Sequence, residues 1–214
     1  MLHVWRLPPR ALPALLPRLA QDARSVRRTP GCRFAKLLGT GTGKTFTAAD
    51  ADPTRWALLS CWAGEAPDLA PARRWDALSD SRWTLRLEPQ AARGRWSGRE
   101  PFGAPVPRPS TGPVVALTRA RLRPTKAVRF WSAVPPVSAA LHEAPGLRTA
   151  FGVGEAPLGL QGTLSVWDDE PALKAFAYEG QAHREVMDRT PTEGWYAEEL
   201  FARFAVLDEQ GSPP

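Results

Sequence analysis

Residues 160–207 read LQGTLSVWDDEPALKAFAYEGQAHREVMDRTPTEGWYAEELFARFAVL, and this stretch decides the fold. Its first part, residues 161–167, is a short run of apolar and β-branched residues between glycines and an Asp pair, which predicts a strand. A helix is predicted next, because Asp168 or Asp169 can cap its free amides and Pro171 suits its first turn. The remainder predicts a closing unit of helix and strand.

One histidine of the predicted helix, His183, falls on its apolar face. Leu173, Phe176, Gly180, His183 and Met187 recur at intervals of three and four residues, so they share one side of the helix. The ordinary explanation is a buried neutral imidazole that donates one N–H to a backbone carbonyl. The alternative is a metal ligand. A lone histidine suits a haem iron, which one histidine commonly holds, better than it suits zinc.

Composition limits the class of protein. The 214 residues are 43% apolar, which is ample for a buried core. No window approaches the roughly 18 consecutive apolar residues of a membrane-spanning helix. The N-terminal residues MLHVWR lack the charged start and the long apolar run of a signal peptide. We therefore expect a cytoplasmic protein.

The formal net charge of +6 arises from 28 basic residues, of which only Lys36, Lys44, Lys126 and Lys174 are lysines. The arginines are scattered along the chain, so nucleic acid is not the expected partner. A basic surface would equally well hold the protein at anionic lipid headgroups or attract a small acidic redox partner. On this ground we expect contact with the membrane surface.

A glycine-rich segment, GTGTGKT at residues 39–45, superficially matches a phosphate-binding loop. That motif requires a glycine five residues before Gly43, where this chain has Leu38, and it requires a helix directly afterwards. The stretch that follows is rich in Asp and broken by proline, which does not predict a helix. A turn at the end of a strand is the better explanation.

The two halves of the chain share an order of elements. Each half is predicted to begin with strand, helix, strand and strand, and the motif L-S-x-W recurs at residues 59–62 and 164–167. An internal repeat predicts an α+β fold, in which two ferredoxin-like βαββ repeats form a dimeric α/β-barrel-like body within one chain. The alternative is chance similarity between short apolar strands. The predicted strands are residues 2–7, 33–39, 55–62, 82–87, 114–122, 147–153 and 161–167, and the first helix of each half is predicted at 10–24 and 125–141.

We expect the first repeat to span residues 1–112, including a Pro- and Gly-rich connection, and the second to span residues 113–214, including the helix of His183. Helices cover only one face of each sheet, so the two sheets can bury their other faces against one another. A ligand cavity is expected at or beside the sheets.

The Pro- and Gly-rich connection carries Trp96 and Phe102, so we expect it to pack over the body as a cover. Near the end of the chain, Glu193, Glu198 and Glu199 beside Trp195 could form a site, but a solvated helix face is the better explanation. No acid–base constellation is therefore predicted beside the histidine.

Several long runs of residues resemble the spheroidene monooxygenase family of carotenoid ketolases. They are TRARL from Thr118, FWSAVPPVSAAL from Phe130, PGLR from Pro145, GVGEAP from Gly152 and GWYAEELFARFAVL from Gly194, and the likeness covers most of the chain. The resemblance implies a haem b iron and oxidation of an acyclic carotenoid such as spheroidene by O2, next to its methoxy-bearing end group. Two successive hydroxylations at that carbon would give a gem-diol, which loses water to a ketone.

The resemblance also implies roles for single residues. His183 becomes the expected axial ligand of the haem iron, with His142 as the fallback and His3, in a first strand that resembles an edge strand, as the weakest choice. An apolar substrate pocket needs aromatic and small residues. Trp131, Phe151 and Trp167, together with Gly152, Gly154 and Gly162, sit on elements that can supply them.

The reductant implied by the resemblance is reduced ferredoxin from a ferredoxin-type reductase system. Two other functions stay open from the residues alone. One is a ferredoxin-like barrel monooxygenase of another substrate, since this fold supports many chemistries. The other is a non-catalytic protein that binds haem or an apolar ligand, because the sequence shows no acid, base or nucleophile beyond the inward histidine.

Overall fold

The structure is a computed structural model that describes residues 1–42, 50–108, 111–123, 125, 137–155, 162–179 and 196–213. Its strands are β1 (Leu2–Arg6), β2 (Cys32–Gly41), β3 (Ala51–Trp62), β4 (Ser81–Gly94), β5 (Val114–Leu122), β6 (Leu147–Gly154), β7 (Gly162–Trp167) and β8 (Tyr196–Gly211). Its helices are α1 (Leu12–Leu15), α2 (Leu19–Arg28), α3 (Ala70–Leu78), α4 (137–142) and α5 (Glu170–Lys174), and a π-helix (Ala175–Glu179) follows α5 directly. None of the helices in these ranges is long and apolar enough to cross a membrane.

The strands close into one barrel in the order β1-β3-β2-β6-β7-β5-β8-β4, and every neighbouring pair is antiparallel. Within this order, β4-β1-β3-β2 and β8-β5-β7-β6 are two sheets with the same arrangement, joined by the pairs β2–β6 and β4–β8. The predicted α+β fold of two ferredoxin-like repeats in a barrel is confirmed. Each βαββ unit is completed by one more helix and strand, and the boundary between residues 112 and 113 stays a prediction.

The strands place alternate side chains inside and outside the barrel. In β5, for example, Val115 and Leu117 point inward and Val114 points outward. Apolar side chains from all of the strands fill the barrel interior, as an interior of this size requires. They include Leu2, Phe34, Leu38, Leu59, Trp83, Leu85, Leu117, Phe151, Leu164, Leu200 and Phe204.

The outer face of the first sheet is covered by α1, α2 and α3. Its centre is a tryptophan cluster, in which the ring centroid of Trp75 lies 5.3 Å from that of Trp5 and 6.0 Å from that of Trp56. Asp22 of α2 is 3% exposed. It accepts hydrogen bonds from Trp75 Nε1 at 2.9 Å and from Arg74 Nη1 at 2.6 Å, so one buried carboxylate ties α2 to α3.

Two helical regions differ from the prediction. The single helix expected over residues 10–24 is divided by its prolines into α1, a 3₁₀ turn at Leu16–Arg18, and α2, which continues to Arg28. Helix α3 was not predicted, because it lies in a proline-rich stretch. Its proline stands in the first turn, where the missing N–H has no hydrogen bond to lose.

The structure corrects the secondary structure predicted for the end of the chain. Residues 196–211 form one long strand, β8, rather than a helix and a strand, and β8 pairs with both β4 and β5. Leu200, Ala202 and Phe204 are buried at every second position, which is the period of a strand. The prediction that Glu198 and Glu199 lie on a helix face is therefore wrong, and Glu193 lies outside the described residues.

The repeated L-S-x-W motif has the same local structure in both sheets. Trp62 Nε1 donates a hydrogen bond to Ser60 Oγ at 3.0 Å in β3, and Trp167 Nε1 donates one to Ser165 Oγ at 2.9 Å in β7. The two strands also hold equivalent places in their sheets. The shared contact favours an internal repeat over chance similarity.

The substitution Asp22→Ala is expected to destabilise the protein by about 2–4 kcal/mol, because it leaves the buried Trp75 indole N–H and the Arg74 guanidinium without their acceptor. Urea unfolding followed by tryptophan fluorescence measures this change. Gln21→Ala, at an exposed position of the same helix, is the control and should change the free energy of unfolding by less than about 0.5 kcal/mol. An equally small change for Asp22→Ala would contradict the role assigned to this carboxylate.

Candidate functional site

Strand β5 carries an arginine into the barrel. Arg119 follows Val115 and Leu117 on the inward side of the strand, and its side chain is only 5% exposed. Its Nη2 lies 2.9 Å from Glu155 Oε1, and its Nη1 donates to Glu198 Oε1. A guanidinium removed from water requires such partners, since an unpaired buried charge is strongly unfavourable.

Glu155 receives two further donors. Lys36 Nζ lies 2.5 Å from Glu155 Oε2, and Trp96 Nε1 donates to Glu155 Oε1 at 2.6 Å. The Arg119 guanidinium also stacks over the Trp96 indole, with its central carbon 5.4 Å from the ring centroid. We call Lys36, Trp96, Arg119, Glu155 and Glu198 the barrel-end cluster.

Glu198 fastens the connection between β4 and β5 to the end of the barrel. It accepts hydrogen bonds from the backbone N–H groups of Ser97 at 3.0 Å and Gly98 at 2.7 Å. Trp96 is 1% exposed, and the ring centroid of Phe102 from the same connection lies 4.9 Å from that of Phe204. The structure thus agrees with the prediction that this connection packs over the body as a cover.

Both carboxylates of the cluster are held in their charged form. Burial alone would raise the pKa of Glu155, but the hydrogen bonds from Lys36 and Trp96 and the charges of Lys36 and Arg119 outweigh it and lower the pKa. Burial would also raise the pKa of Glu198, but the hydrogen bonds from Gly98 and Arg119 outweigh it and lower the pKa below its ordinary value. Neither carboxylate is a base poised near neutral pH, so the cluster suits structural closure rather than proton transfer.

The second sheet carries the helix that leads towards His183. As predicted, Asp169 caps α5, and its Oδ1 accepts from the N–H of Ala172 at 2.8 Å. Trp167 is fully buried on the outer face of β7, and its ring centroid lies 5.3 Å from that of Phe176. Phe176 belongs to the π-helix Ala175–Glu179, and π-helical turns occur frequently at functional sites.

The expected axial ligand His183 lies outside the described residues, as does Trp131. Of the other two residues expected in the substrate pocket, Phe151 points into the filled barrel and Trp167 lies on the outer face of the wall. The structure therefore does not bring Phe151 and Trp167 together in one pocket.

The ring of the fallback ligand His142 is held by the preceding turn of α4. Its Nδ1 lies 2.8 Å from the carbonyl oxygen of Ser138, which can only accept, so Nδ1 is the donor. Histidines that bind metals commonly donate their other ring N–H to a backbone carbonyl in this way. His142 is exposed, and its neighbour Leu141 packs with Val114 and Trp167 on the second sheet.

His3 is bound differently. Its Nδ1 lies 3.1 Å from Thr84 Oγ1, its ring stacks on Trp5 with centroids 5.5 Å apart, and burial lowers its pKa to about 4. The first strand is not an edge strand, because β1 pairs with both β3 and β4. His3 is therefore a neutral wall residue of the first repeat.

In the described part of the chain no three His, Cys, Asp or Glu side chains are grouped so that they could hold a metal ion. A haem iron needs as little as one axial histidine from the protein. His142, on a helix whose Leu141 packs on the second sheet, is one described residue that could act as such a ligand.

Sequence reasoning missed the barrel-end cluster. Its only local signal is the alternation in β5, which places Arg119 on the same side as two core residues. A buried arginine at a strand position implies a carboxylate partner, but Glu155 follows β6 and Glu198 lies in β8, so the sequence of β5 does not identify them. Glu198 was also assigned to a helix, which hid its inward direction.

Comparison with known proteins decides the family. No protein-family model matches the chain. The chain is 38% identical over 210 residues to the spheroidene monooxygenase of Rhodobacter capsulatus, and the match covers 94% of this chain and 87% of that protein. The chain belongs to the spheroidene monooxygenase family. Its resemblance to that family, inferred from the residues, is confirmed, and it is an oxidoreductase of the monooxygenase class.

Two further spheroidene monooxygenases are similar. Identity to the protein of Rubrivivax gelatinosus is 37% over 188 residues, covering 85% of this chain and 72% of that protein. Identity to the protein of Cereibacter sphaeroides is 35% over 193 residues, covering 85% of this chain and 58% of that protein.

Solved structures show only distant likeness. The heme-degrading enzyme LmHde from Listeria monocytogenes gives a TM-score of 0.32 at 14% identity, covering 94% of this chain and 99% of that chain. An anthrone oxidase-like protein gives a TM-score of 0.34 at 16% identity, covering 100% of this chain and 92% of that chain. The fold assignment therefore rests on the strand order of this chain and not on these likenesses.

The substitution Glu198→Gln is expected to lower the free energy of unfolding at pH 7 by about 3 kcal/mol, because Arg119 loses one of its two charged partners in a buried site. Denaturant titration at several pH values measures this effect. Glu199→Gln is the matched control on the same strand, because the Glu199 carboxylate forms no ion pair with the described residues, and it should shift stability by less than about 0.5 kcal/mol.

The effect of Glu198→Gln on the free energy of unfolding should depend on pH. The pKa of Glu198 is lower in the folded protein than in the unfolded chain. Its stabilisation is therefore present above the unfolded pKa of about 4.3 and is lost as the pH falls through the folded pKa. The difference between wild type and Glu198→Gln should therefore shrink on acidification. A difference that stays constant from pH 7 down to acid unfolding would contradict the charged contact.

Proposed function

We propose that the chain is a haem-dependent monooxygenase that oxidises an acyclic carotenoid such as spheroidene near its end group, using O2 and a reductant. The observation that carries the proposal is the 38% identity to a spheroidene monooxygenase across 87% of that protein. The geometry is consistent with it, because the donor set of the described residues suits a single histidine ligand better than a protein-built metal centre.

His183 is the proposed axial ligand, and His142 is the alternative. Two features of the described chain support His183. Helix α5 begins at the predicted cap, and Leu173 of α5 and Phe176 of the following π-helix both pack on the second sheet beside Trp167, the side on which the sequence pattern placed His183. The π-helix that follows is a kind of distortion that recurs next to functional sites.

Bound haem would supply the activation of O2 for insertion of oxygen into a C–H bond. The chain's own part is to hold the carotenoid and exclude water, and the apolar outer face around Val114 and Trp167 suits that task. In each hydroxylation one oxygen atom enters the C–H bond, and two electrons and two protons convert the other into water. A second hydroxylation at the same carbon gives a gem-diol, and loss of water leaves a ketone.

The proposed electron donor is reduced ferredoxin, delivered by a ferredoxin-type reductase system. We place the protein in the cytoplasm, in contact with the membrane surface, where an apolar carotenoid would be found, and we expect no nucleic-acid partner. The net charge of +6 suits either an acidic donor protein or anionic lipid headgroups.

The visible spectrum of protein purified from haem-replete cells tests the ligand. Wild type should show a Soret band, His183→Ala should lose it, and the matched variant His142→Ala should keep it. The reverse pattern would assign the iron to His142, and a colourless wild type would reject the haem proposal.

Expression in cells that accumulate acyclic carotenoids tests the activity. A new ketocarotenoid, absent with the His183→Ala variant, is the expected result. A haem spectrum without any new pigment, in cells where an established ketolase produces one, would point to another substrate. A reduced spectrum with both axial positions filled and no carbon monoxide adduct would indicate a haem-binding protein without oxygen chemistry, because that chemistry needs a free coordination site.

A further inference from the structure

We propose that the first repeat binds the surface of an anionic lipid bilayer through the outward side of its first two helices. The exposed side chains of residues 13–28 form this side, and we call them the α1–α2 surface. It would make the membrane contact of the proposed function, on which the inference rests. All of it lies within residues 1–42, which the structure describes without a gap.

The α1–α2 surface is basic and has no exposed acid. Residues 9–33 contain six arginines and one acidic residue, Asp22. Asp22 is buried and already accepts hydrogen bonds from Arg74 and Trp75. Arg10 lies 4.0 Å from Asp80. The arginines of this stretch that are exposed and form no ion pair with the described residues are Arg18, Arg24, Arg27, Arg28 and Arg33.

The stability of α2 does not account for these charges. The helix dipole favours basic residues in the last turn, where Arg27 and Arg28 lie. Arg18, however, is the N-cap residue of α2, at the end where the dipole disfavours positive charge. Arg24 and Arg28 are four residues apart, and like charges at that spacing repel one another. A negatively charged partner is therefore the better explanation of the arginines.

Apolar side chains are exposed beside the arginines. Leu16, in the 3₁₀ turn between α1 and α2, is 41% exposed. Pro13, Ala14 and Pro17 around it are exposed as well. Exposed leucine next to unpaired basic residues is typical of segments that lie in the membrane interface. There the apolar side chain enters the boundary of the acyl chains, and the guanidinium groups contact the lipid phosphates.

The packing underneath holds the α1–α2 surface in place. Leu15 and Val26 are each 1% exposed and belong to the outer apolar cluster of the first sheet, together with Trp75. Asp22 ties α2 to α3. The exposed side chains thus project from a backbone that is already fixed, so binding requires no folding step.

A lipid surface fits these residues better than other negatively charged partners do. Single-stranded nucleic acid is commonly held by stacking on aromatic side chains, and residues 9–33 contain no Phe, Tyr or Trp. An acidic protein is recognised through a fixed pattern of complementary charges. A bilayer presents one sign of charge without a fixed pattern, which matches a run of arginines without acids. Clusters of about four to eight basic residues on a helix are typical of anionic-lipid binding.

Co-sedimentation of the full-length protein with lipid vesicles tests the surface. Wild type should bind vesicles of phosphatidylcholine with about one quarter phosphatidylglycerol more tightly than vesicles of phosphatidylcholine alone. The double variant Arg24→Gln with Arg28→Gln should bind the mixed vesicles roughly twentyfold more weakly, because each basic residue near an anionic surface contributes about fivefold. High salt should reduce this difference, since it screens the charges.

Two further variants separate the contributions of location and chemistry. The double variant Arg86→Gln with Arg99→Gln is the matched control, because it makes the same change in net charge at exposed positions outside the α1–α2 surface. It should weaken binding to the mixed vesicles by less than about threefold. Leu16→Gln should weaken that binding by about fivefold, and its effect should persist at high salt, because salt does not screen an apolar contact.

Thermal unfolding establishes that each variant is folded. Arg24→Gln with Arg28→Gln should unfold at about the temperature of wild type, since neither arginine forms an ion pair with the described residues. Equal binding of this variant and wild type to the mixed vesicles would overturn the α1–α2 surface and leave the membrane contact standing.

Two other results would also overturn the surface. A wild type that does not bind the mixed vesicles would reject the membrane contact itself, while the haem spectrum and the carotenoid product would still test the rest of the proposed function. Salt-sensitive binding to an acidic ferredoxin that Arg24→Gln with Arg28→Gln abolishes, with vesicle binding unchanged, would assign these arginines to a protein partner.

Discussion

The closed barrel is the constraint on which the other features of this protein depend. An eight-stranded barrel has an interior just wide enough for side chains, and here Leu2, Phe151, Leu164 and their neighbours fill it. Two consequences follow. A charged side chain at an inward position has to be neutralised at the barrel end, and any sizeable ligand has to bind outside the wall, where helices cover the sheets.

Arg119 is the inward charged side chain that is neutralised at the barrel end. Its counterpart in the first repeat is Val4, an ordinary core residue, so the arginine is a departure from the repeat rather than part of it. Glu155 and Glu198 come from the ends of two other strands, and Lys36 balances the second negative charge. Because Glu198 also holds the backbone of the β4–β5 connection, the ion pairs seat Trp96 in the barrel end and close it.

The sequence predicts those parts of the fold whose signals are local. The alternation in β5, the cap at Asp169 and the repeated L-S-x-W motif were enough to predict the strands, the start of α5 and the two-repeat barrel. Helix α3 and the first half of β8 were missed. The prolines around α3 obscured its helical periodicity, and the charged residues at the start of β8 obscured the alternation of a strand. The barrel-end cluster joins residues of three strands, the residue after β6 and the β4–β5 connection, so no single stretch reveals it. His183 stays a prediction from helical periodicity and family resemblance.

The two repeats share their strand order but not the side chains on their outer faces. The first repeat keeps Trp5, Trp56 and Trp75 in contact and secures its helices with the buried Asp22. The strand registers place Ala120, Gly152 and Thr163 of the second repeat where the first has Trp5, Leu37 and Leu58. The pairs β2–β6 and β4–β8 join the two sheets through backbone hydrogen bonds, which do not depend on the outward side chains. Duplication within one chain therefore preserves the barrel while the outer faces of the two repeats are free to differ.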